Sequence, residues 1–250
     1  MAALNQSTPI LPTPILQARG VTRHFGGLRA VDGVDFDLAQ GEIHALIGPN
    51  GAGKTTLVGL LSGRIAAQAG QITLAGEDIT ALAAHLRVRK GIAYTFQITA
   101  IYPRLSVFDN VALACQSRRA RDLHMAVAEA LAQVDMAAMA GLQAGTLSYG
   151  HQRLLELAMG LALQPRVLIL DEPTQGLAAG EIEGFKALIR GLVPKTSILL
   201  IEHNMDVVMD LAQRITVLNF GQVLARGTPA EIRANAAVQA AYLGGAHAAT

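Results

Sequence analysis

Eight residues, Gly48-Pro49-Asn50-Gly51-Ala52-Gly53-Lys54-Thr55, constrain this chain more than any others. They have the form G-x-x-x-x-G-K-[ST], in which glycines let the backbone wrap a polyphosphate with its N–H groups pointing inward. A helix that follows adds the positive end of its dipole. Lys54 is placed to bridge the β- and γ-phosphates, and the Thr55 hydroxyl to hold Mg2+. The flanks agree. Ile43-His44-Ala45-Leu46-Ile47 reads as a buried strand, and Thr55 to Leu61 as the start of a helix. A bare glycine turn between strand and helix is the alternative, and it leaves the lysine and threonine unexplained.

Composition narrows the partners. Of 250 residues, 51% are hydrophobic, ample for a buried core, and only 16% are charged. So low a charged share hints that a partner covers part of the surface. Net charge is +1, which removes the bulk electrostatic case for nucleic-acid binding, and an aromatic share of 4% with no Trp leaves few platforms for stacking single strands. The single cysteine, Cys115, excludes an internal disulfide and reads as a small buried apolar residue. No apolar run approaches the roughly 18 residues that span a bilayer. Residues 1–14 lack a basic region followed by an apolar core, so they read as a disordered lead-in and not as a secretory signal. The expectation is a cytosolic chain that serves any membrane from its surface.

Taken in order, Ile15 to Phe25 and Val34 to Leu38 read as strands, broken at Gly26-Gly27 and Asp32-Gly33. Phe25 offers a ring that could stack on a base, although a Phe before a Gly-Gly turn usually belongs to a core. Gly70 to Gly76 reads as a hairpin strand. His85-Leu86-Arg87-Val88-Arg89-Lys90 reads as a solvated helix face. Gly91 to Gln97 returns to a strand whose terminal amide, Gln97, can reach a phosphate-bound metal or water. From Ile98 to about Gln164 the chain turns Ala-rich with helical spacing, and reads as a helical subdomain inserted in the α/β core. It closes on Leu147-Ser148-Tyr149-Gly150-His151-Gln152, a Ser cap and a Gly at a helix start. Arg166 to Glu172 is a continuous apolar strand ending in two carboxylates at the edge where open α/β sheets bind ligands. There Asp171 can hold Mg2+ through water, and Glu172 can orient and deprotonate an attacking water. Ser197 to Ile201 is another buried strand, ending Glu202-His203, and His203 can touch a γ-phosphate. Ile215 to Asn219 and Gln222 to Ala225 form a last hairpin, and Pro229 to Gly244 one helix with a loose end.

Together these stretches resemble the ATP-binding subunit of ABC transporters, over Ile15 to Leu243. The motifs that carry the resemblance are the phosphate loop, Gln97, Leu147-Ser148-Tyr149-Gly150-His151, Leu168 to Glu172, and His203, in that family's order. The resemblance implies a P-loop NTPase α/β core with a mixed sheet (the ABC ATPase fold), an antiparallel β subdomain and the inserted helical subdomain. The implied division is 15–97 with 165–233 for the core, 98–164 for the helical subdomain and 234–250 for a C-terminal helix and tail. ATP and Mg2+ are the implied ligands. Phe25 becomes the base-stacking residue. Gly48, Pro49, Asn50, Gly51, Ala52, Gly53, Lys54, Thr55 and Thr56 hold the nucleotide, with Ser148 and Gly150 reaching the nucleotide of a second subunit. Thr55, Gln97 and Asp171 serve the metal, and Glu172, His203 and Gln97 the chemistry.

A narrower resemblance rests on Phe25 to Val31, Thr95-Phe96-Gln97, Ile201 to Met209 and Ala241-Tyr242-Leu243-Gly244. These are similar to importers of branched-chain and other hydrophobic amino acids, a group that includes carriers of related small organic solutes. It implies an energy-coupling subunit, peripheral on the cytoplasmic face of the inner or plasma membrane. The implied partners are integral membrane permease subunits, a second ATP-binding subunit (identical or related) and, indirectly, a solute-binding protein, with no nucleic acid. An apolar strip with Ile101, Tyr102, Pro103, Leu105 and Val107 would receive a helix of the membrane subunit. The rival is a soluble ABC-type ATPase not linked to transport. Such proteins usually hold two cassettes or a long coiled-coil insertion, and this chain has neither. Three departures stand out. Tyr149 and His151 replace a Gly and a Gln of the usual signature. Thr174-Gln175-Gly176-Leu177-Ala178-Ala179 lacks the Asp usually found after the acidic strand. Gln97 to Ser148 is short beside relatives with an insertion there.

Overall fold

The structure, a computed structural model, describes residues 14–95, 100–116 and 122–244. The expected lead-in lies outside them except for Pro14, which opens the first strand.

Two sheets divide the work. The first is antiparallel, in the order β2-β1-β4-β5, from β1 (Pro14–Phe25), β2 (Leu28–Ala39), β4 (Ala69–Leu74) and β5 (Glu77–Asp78). Its second strand begins at Leu28 and runs through Asp32-Gly33, where the sequence suggests a break. The turn-forming pair is absorbed as a bulge. The β1–β2 register shifts between Ala18↔Phe36 and Val21↔Val34, and again before Arg23↔Val31. Gly33 takes φ +63 and donates its amide to Thr22 Oγ1 at 3.0 Å. Residues that end strands elsewhere here only bend one.

The second sheet has the order β10-β9-β3-β8-β7-β6. It comprises β3 (Ile43–Ile47), β6 (Ile92–Thr95), β7 (Val167–Asp171), β8 (Ser197–Ile201), β9 (Arg214–Asn219) and β10 (Gln222–Gly227). The five strands from β9 to β6 are parallel, and β10 returns antiparallel at the edge. Every residue of β3, β7 and β8 is buried, because both faces are covered. Leu168 and Leu170 face one hydrophobic cluster, and Val167 and Ile169 the other, by the simple alternation of a strand. Each such side chain contributes about 1.5–3 kcal/mol on burial. The strand order matters most for function. Between β3, which leads into the phosphate loop, and β7, which ends in two acids, lies β8, which ends in Glu202-His203.

The first cluster joins one sheet face to α3 (Val107–Gln116), α4 (Leu123–Gln133), α5 (Tyr149–Ala162) and α6 (Ala179–Leu192), with Cys115 buried among them. The second joins the other face to α1 (Lys54–Ser62) and the antiparallel sheet. α2 (Ala84–Lys90) corrects one expectation. The basic stretch is a helix, but not merely a solvated face, because Arg87 is only 1% exposed. Its guanidinium donates to the carbonyls of Leu60 (2.6 Å), Leu61 (2.9 Å), Thr80 (2.9 Å) and Leu82 (2.9 Å). The first two are among the last carbonyls of α1, beyond its regular i to i+4 hydrogen bonds; that of Leu60 also accepts from the capping Gly63 amide at 3.3 Å. Burial pushes the Arg87 pKa down to about 10, still charged near neutrality.

After α7 (Met205–Leu211), the C-terminal segment is two helices where one is expected: α8 (Pro229–Ala234) and α9 (Ala236–Gly244). Asn235 makes the break. It takes an extended backbone, and its side chain accepts the amides of Ala237 (3.0 Å) and Val238 (3.1 Å) as the cap of the second helix.

Replacing Arg87 with Met leaves four carbonyls short of a buried donor. The expected loss is about 3 kcal/mol of stability, read by urea unfolding. A loss under about 0.5 kcal/mol would show that water satisfies these carbonyls equally well.

Candidate nucleotide-binding site

The phosphate loop leaves β3 at Gly48, and its glycines have distinct reasons. A Cβ on Gly48 would lie 2.3 Å from the Leu218 carbonyl oxygen, and one on Gly53 2.2 Å from that of Ala30. Both obstacles are backbone, so neither position admits a side chain. Gly51 has open space around it but sits at φ +76. Gly221, in the β9–β10 turn, braces the loop by donating to the Ala52 carbonyl at 3.0 Å and accepting from the Asp32 amide at 2.9 Å. Lys54 is buried. Its ammonium donates to the carbonyls of Gly48 (2.7 Å) and Pro49 (3.0 Å). Burial lowers its pKa, and the charges of Glu172 and Asp171 oppose that shift. No side chain caps the N-terminus of α1, which leaves its first amides for an anion.

A pocket of about 280 Å3 opens here. Asn50 to Thr56, Leu28 and Ala30 line it on the loop side, and Asp171, Glu172, Ile201 and His203 on the other. Larger clefts of about 380 and 700 Å3 lie along α4, α5 and α6, and neither contains the phosphate loop. Chemistry, not volume, identifies the site.

The two acids differ in setting. Asp171 accepts a hydrogen bond from the Tyr94 hydroxyl at 2.5 Å through Oδ2. Burial raises the Asp171 pKa, Tyr94 opposes the rise, and the neighbouring Glu172 charge adds to it. Burial, and next the Asp171 carboxylate, hold the Tyr94 phenol above its ordinary range, so it remains a donor. Glu172 takes a left-handed φ of +49, donates its amide to the Ile201 carbonyl at 2.8 Å, and puts Oε1 2.7 Å from His203 Nε2. Behind both stands Glu202, which the sequence offers only as the end of a strand. Its Oε1 accepts from the Thr174 amide (2.9 Å) and hydroxyl (2.5 Å), and its Oε2 from the amides of His203 (3.0 Å) and Asn204 (3.3 Å). One buried carboxylate therefore ties the loop after Glu172 to the loop of His203.

Thr55, Asp171, Glu172 and His203 thus meet around the loop. Gln97 lies outside the described residues. Phe25 is 45% exposed, with the Arg23 guanidinium 4.8 Å from its ring centroid, so it is not core, and it does not line the 280 Å3 pocket. Ser148 and Gly150 stand elsewhere. Ser148 caps α5, accepting from the His151 amide at 3.3 Å. Gly150 is buried where a Cβ would come within 2.3 Å of Glu181 Oε1. The Tyr149 ring lies against Gly176, and its hydroxyl accepts from Arg153 Nε at 3.1 Å.

Among the described residues, no group of three or more His, Cys, Asp or Glu side chains could hold a metal. Thr55 and Asp171 offer two oxygen donors beside the phosphate cradle. That set fits Mg2+, which keeps waters and takes one or two protein oxygens plus phosphate oxygens.

A model of the ABC transporter family matches residues 31–175. The chain belongs to that family. A second model, for branched-chain amino acid ATP-binding cassette transporters, matches residues 222–248 of this ABC cassette. It is 39% identical to the high-affinity branched-chain amino acid transport ATP-binding protein BraF of Pseudomonas aeruginosa, covering 92% of this chain and 98% of that one. It is 38% identical to LivG of Escherichia coli K12, which bears the same description, with the same coverage. The crystal structure of the ADP conformation of MJ1267, an ATP-binding cassette of an ABC transporter, superposes with a TM-score of 0.83 at 26% identity, covering 93% of this chain and 99% of that one. A dimeric structure of the cassette MJ0796 (TM-score 0.77, 21% identity, 86% of this chain and 98% of that one) shares the fold. No helix among the described residues is long and apolar enough to cross a membrane.

The Gly53→Ala variant meets both a backbone oxygen and a φ of +102. Strain of about 1–3 kcal/mol in the loop is expected to weaken ATP binding roughly tenfold or more, measured by calorimetric titration. Unchanged affinity would mean that the loop accommodates a methyl group against Ala30.

Proposed function

We infer that this chain is the ATP-hydrolysing, energy-coupling subunit of an importer for branched-chain amino acids or a related small organic solute. The observation that carries the chemistry is the Glu172 carboxylate, 2.7 Å from His203 and at the rim of the phosphate-loop pocket. A carboxylate there receives a proton from the water that attacks the γ-phosphorus. It is the general base for hydrolysis. His203 reports whether the γ-phosphate is present, through the Glu172 contact and the loop that Glu202 holds. Lys54 and the amides of Gly51 to Thr56 grip the phosphates. Thr55, Asp171 (through water) and Gln97 would hold Mg2+, which neutralises charge on the β- and γ-oxygens. Phe25 stacks on the adenine.

The position of Ser148 and Gly150, away from the phosphate loop of their own chain, supports a dimer in which each signature serves the other subunit's nucleotide. The second subunit is another copy or a related chain. In this reading 98–164 is a helical subdomain inserted in a core of 15–97 and 165–233, with 234–250 appended. Two bound triphosphates close the dimer and hydrolysis releases it. Driving such an equilibrium from 1:99 to 99:1 takes about 5.5 kcal/mol, within reach of two nucleotides held by charge-assisted hydrogen bonds. The chain would sit on the cytoplasmic face of the membrane against permease subunits that a solute-binding protein supplies. Of the apolar strip, Ile101, Tyr102, Pro103 and Leu105 would be the contact; Val107, expected to belong to it, is instead buried in the core between the helices. The name shared by BraF and LivG supports the amino-acid reading.

Two variants test the chemistry. Glu172→Gln is expected to bind ATP as the native chain does, lose about a hundredfold or more in turnover, and accumulate as a closed dimer on size-exclusion chromatography. Native turnover would remove Glu172 from the base role. Lys54→Ala is expected to lose nucleotide binding itself. For the transport reading, affinity capture from gently solubilised membranes should recover polytopic subunits. Recovery of soluble partners alone would favour an ABC-type ATPase not linked to transport.

A further inference from the structure

The metal-side carboxylate has its own support, built from residues outside every motif. Asp171 ends β7, and the adjacent edge strand β6 runs parallel to it with Tyr94 opposite Ile169. From there the Tyr94 hydroxyl reaches Asp171 Oδ2 at 2.5 Å. The ring is itself held, because the Arg64 guanidinium lies 3.8 Å above its centroid. Such stacking favours a cation over the face of a tyrosine. Arg64 follows Gly63, the residue that ends α1, and its Nε donates to Ser62 Oγ at 3.2 Å. The helix that begins at Lys54 therefore ends by fixing the residue that fixes Tyr94.

A carboxylate that serves a metal through water needs a fixed rotamer, since rotation would turn the same oxygen away from the ligand. Outer partners of this kind are typically worth 10–100-fold in metal affinity or activity. We propose that Tyr94, clamped by Arg64, is a positioning residue for the metal: its hydroxyl holds one oxygen of Asp171 and so commits the other to the nucleotide-bound cation. This rests on the assignment of Asp171 to Mg2+ made above. Tyr94 is not among the residues that line the phosphate-loop pocket. Its hydroxyl reaches the site through Asp171, so its loss should appear in metal dependence before it appears in nucleotide affinity.

The test uses Tyr94→Phe, which keeps the ring under Arg64 and removes only the hydroxyl. Mn2+, as a paramagnetic probe for Mg2+, is titrated into the protein bound to a non-hydrolysable ATP analogue and followed by electron paramagnetic resonance. About tenfold weaker Mn2+ binding is expected, with analogue affinity in EDTA unchanged. In turnover, half-saturation in Mg2+ should rise by a similar factor, with kcat recovered at high Mg2+. Asp171→Asn is the control. If it weakens Mn2+ binding while Tyr94→Phe does not, the role of Tyr94 is overturned and the metal assignment stands. If neither variant moves Mn2+ binding, the assignment of Asp171 falls and the role of Tyr94 with it. Loss of analogue binding in EDTA by Tyr94→Phe would show a general structural role instead.

Discussion

Burying charge at the rim of an apolar sheet is the constraint from which the rest of this structure follows. Lys54, at the start of α1, and Asp171 and Glu202, at the ends of strands that carry almost nothing polar, are each less than a tenth exposed. An ionised group in such a place is costly unless it is hydrogen-bonded or paired. Each of the three has a different solution. Lys54 leans on two carbonyls of its own loop, Asp171 on a phenol, and Glu202 on three amides and a hydroxyl. The hydrogen bonds that make these charges tolerable are also the ones that place them. The site's rigidity and its electrostatics are one property.

Strand order turns this local chemistry into a site. Because β8 lies between β3 and β7, the phosphate loop and the two acids that face it are separated by the width of one strand. The end of that strand is occupied by the histidine that meets Glu172. Glu202 then couples neighbouring loops from beneath, so Glu172 and His203 share one foundation.

Much of this was legible in one dimension, where the information was local. The phosphate loop has a fixed spacing, and β3, β7 and β8 are short continuous apolar runs that only a doubly covered strand explains. What failed to show was either ambiguous or distant. Asp32-Gly33 looks like a turn because bulges use the same residues. Arg87 looks like one more surface cation, since nothing in a charge run reveals which side chain reaches a helix end. Asn235 breaks a helix by capping the next one, a choice that composition does not announce. Tyr94 and Glu202 stayed silent for a different reason. Their partners lie 77 and 28 residues away, so no spacing rule connects them. The residues that line the pocket beside the phosphate loop were readable, and those that hold them in place were not.

α1 is nine residues long, about 13 Å, and neither of its ends is loose. At one end Gly53 is pressed under the Ala30 carbonyl, and at the other Arg87 grips the carbonyls of Leu60 and Leu61. The phosphate loop and the segment after β5, whose Thr80 and Leu82 carbonyls share the same guanidinium, are thus fastened to opposite ends of one short helix.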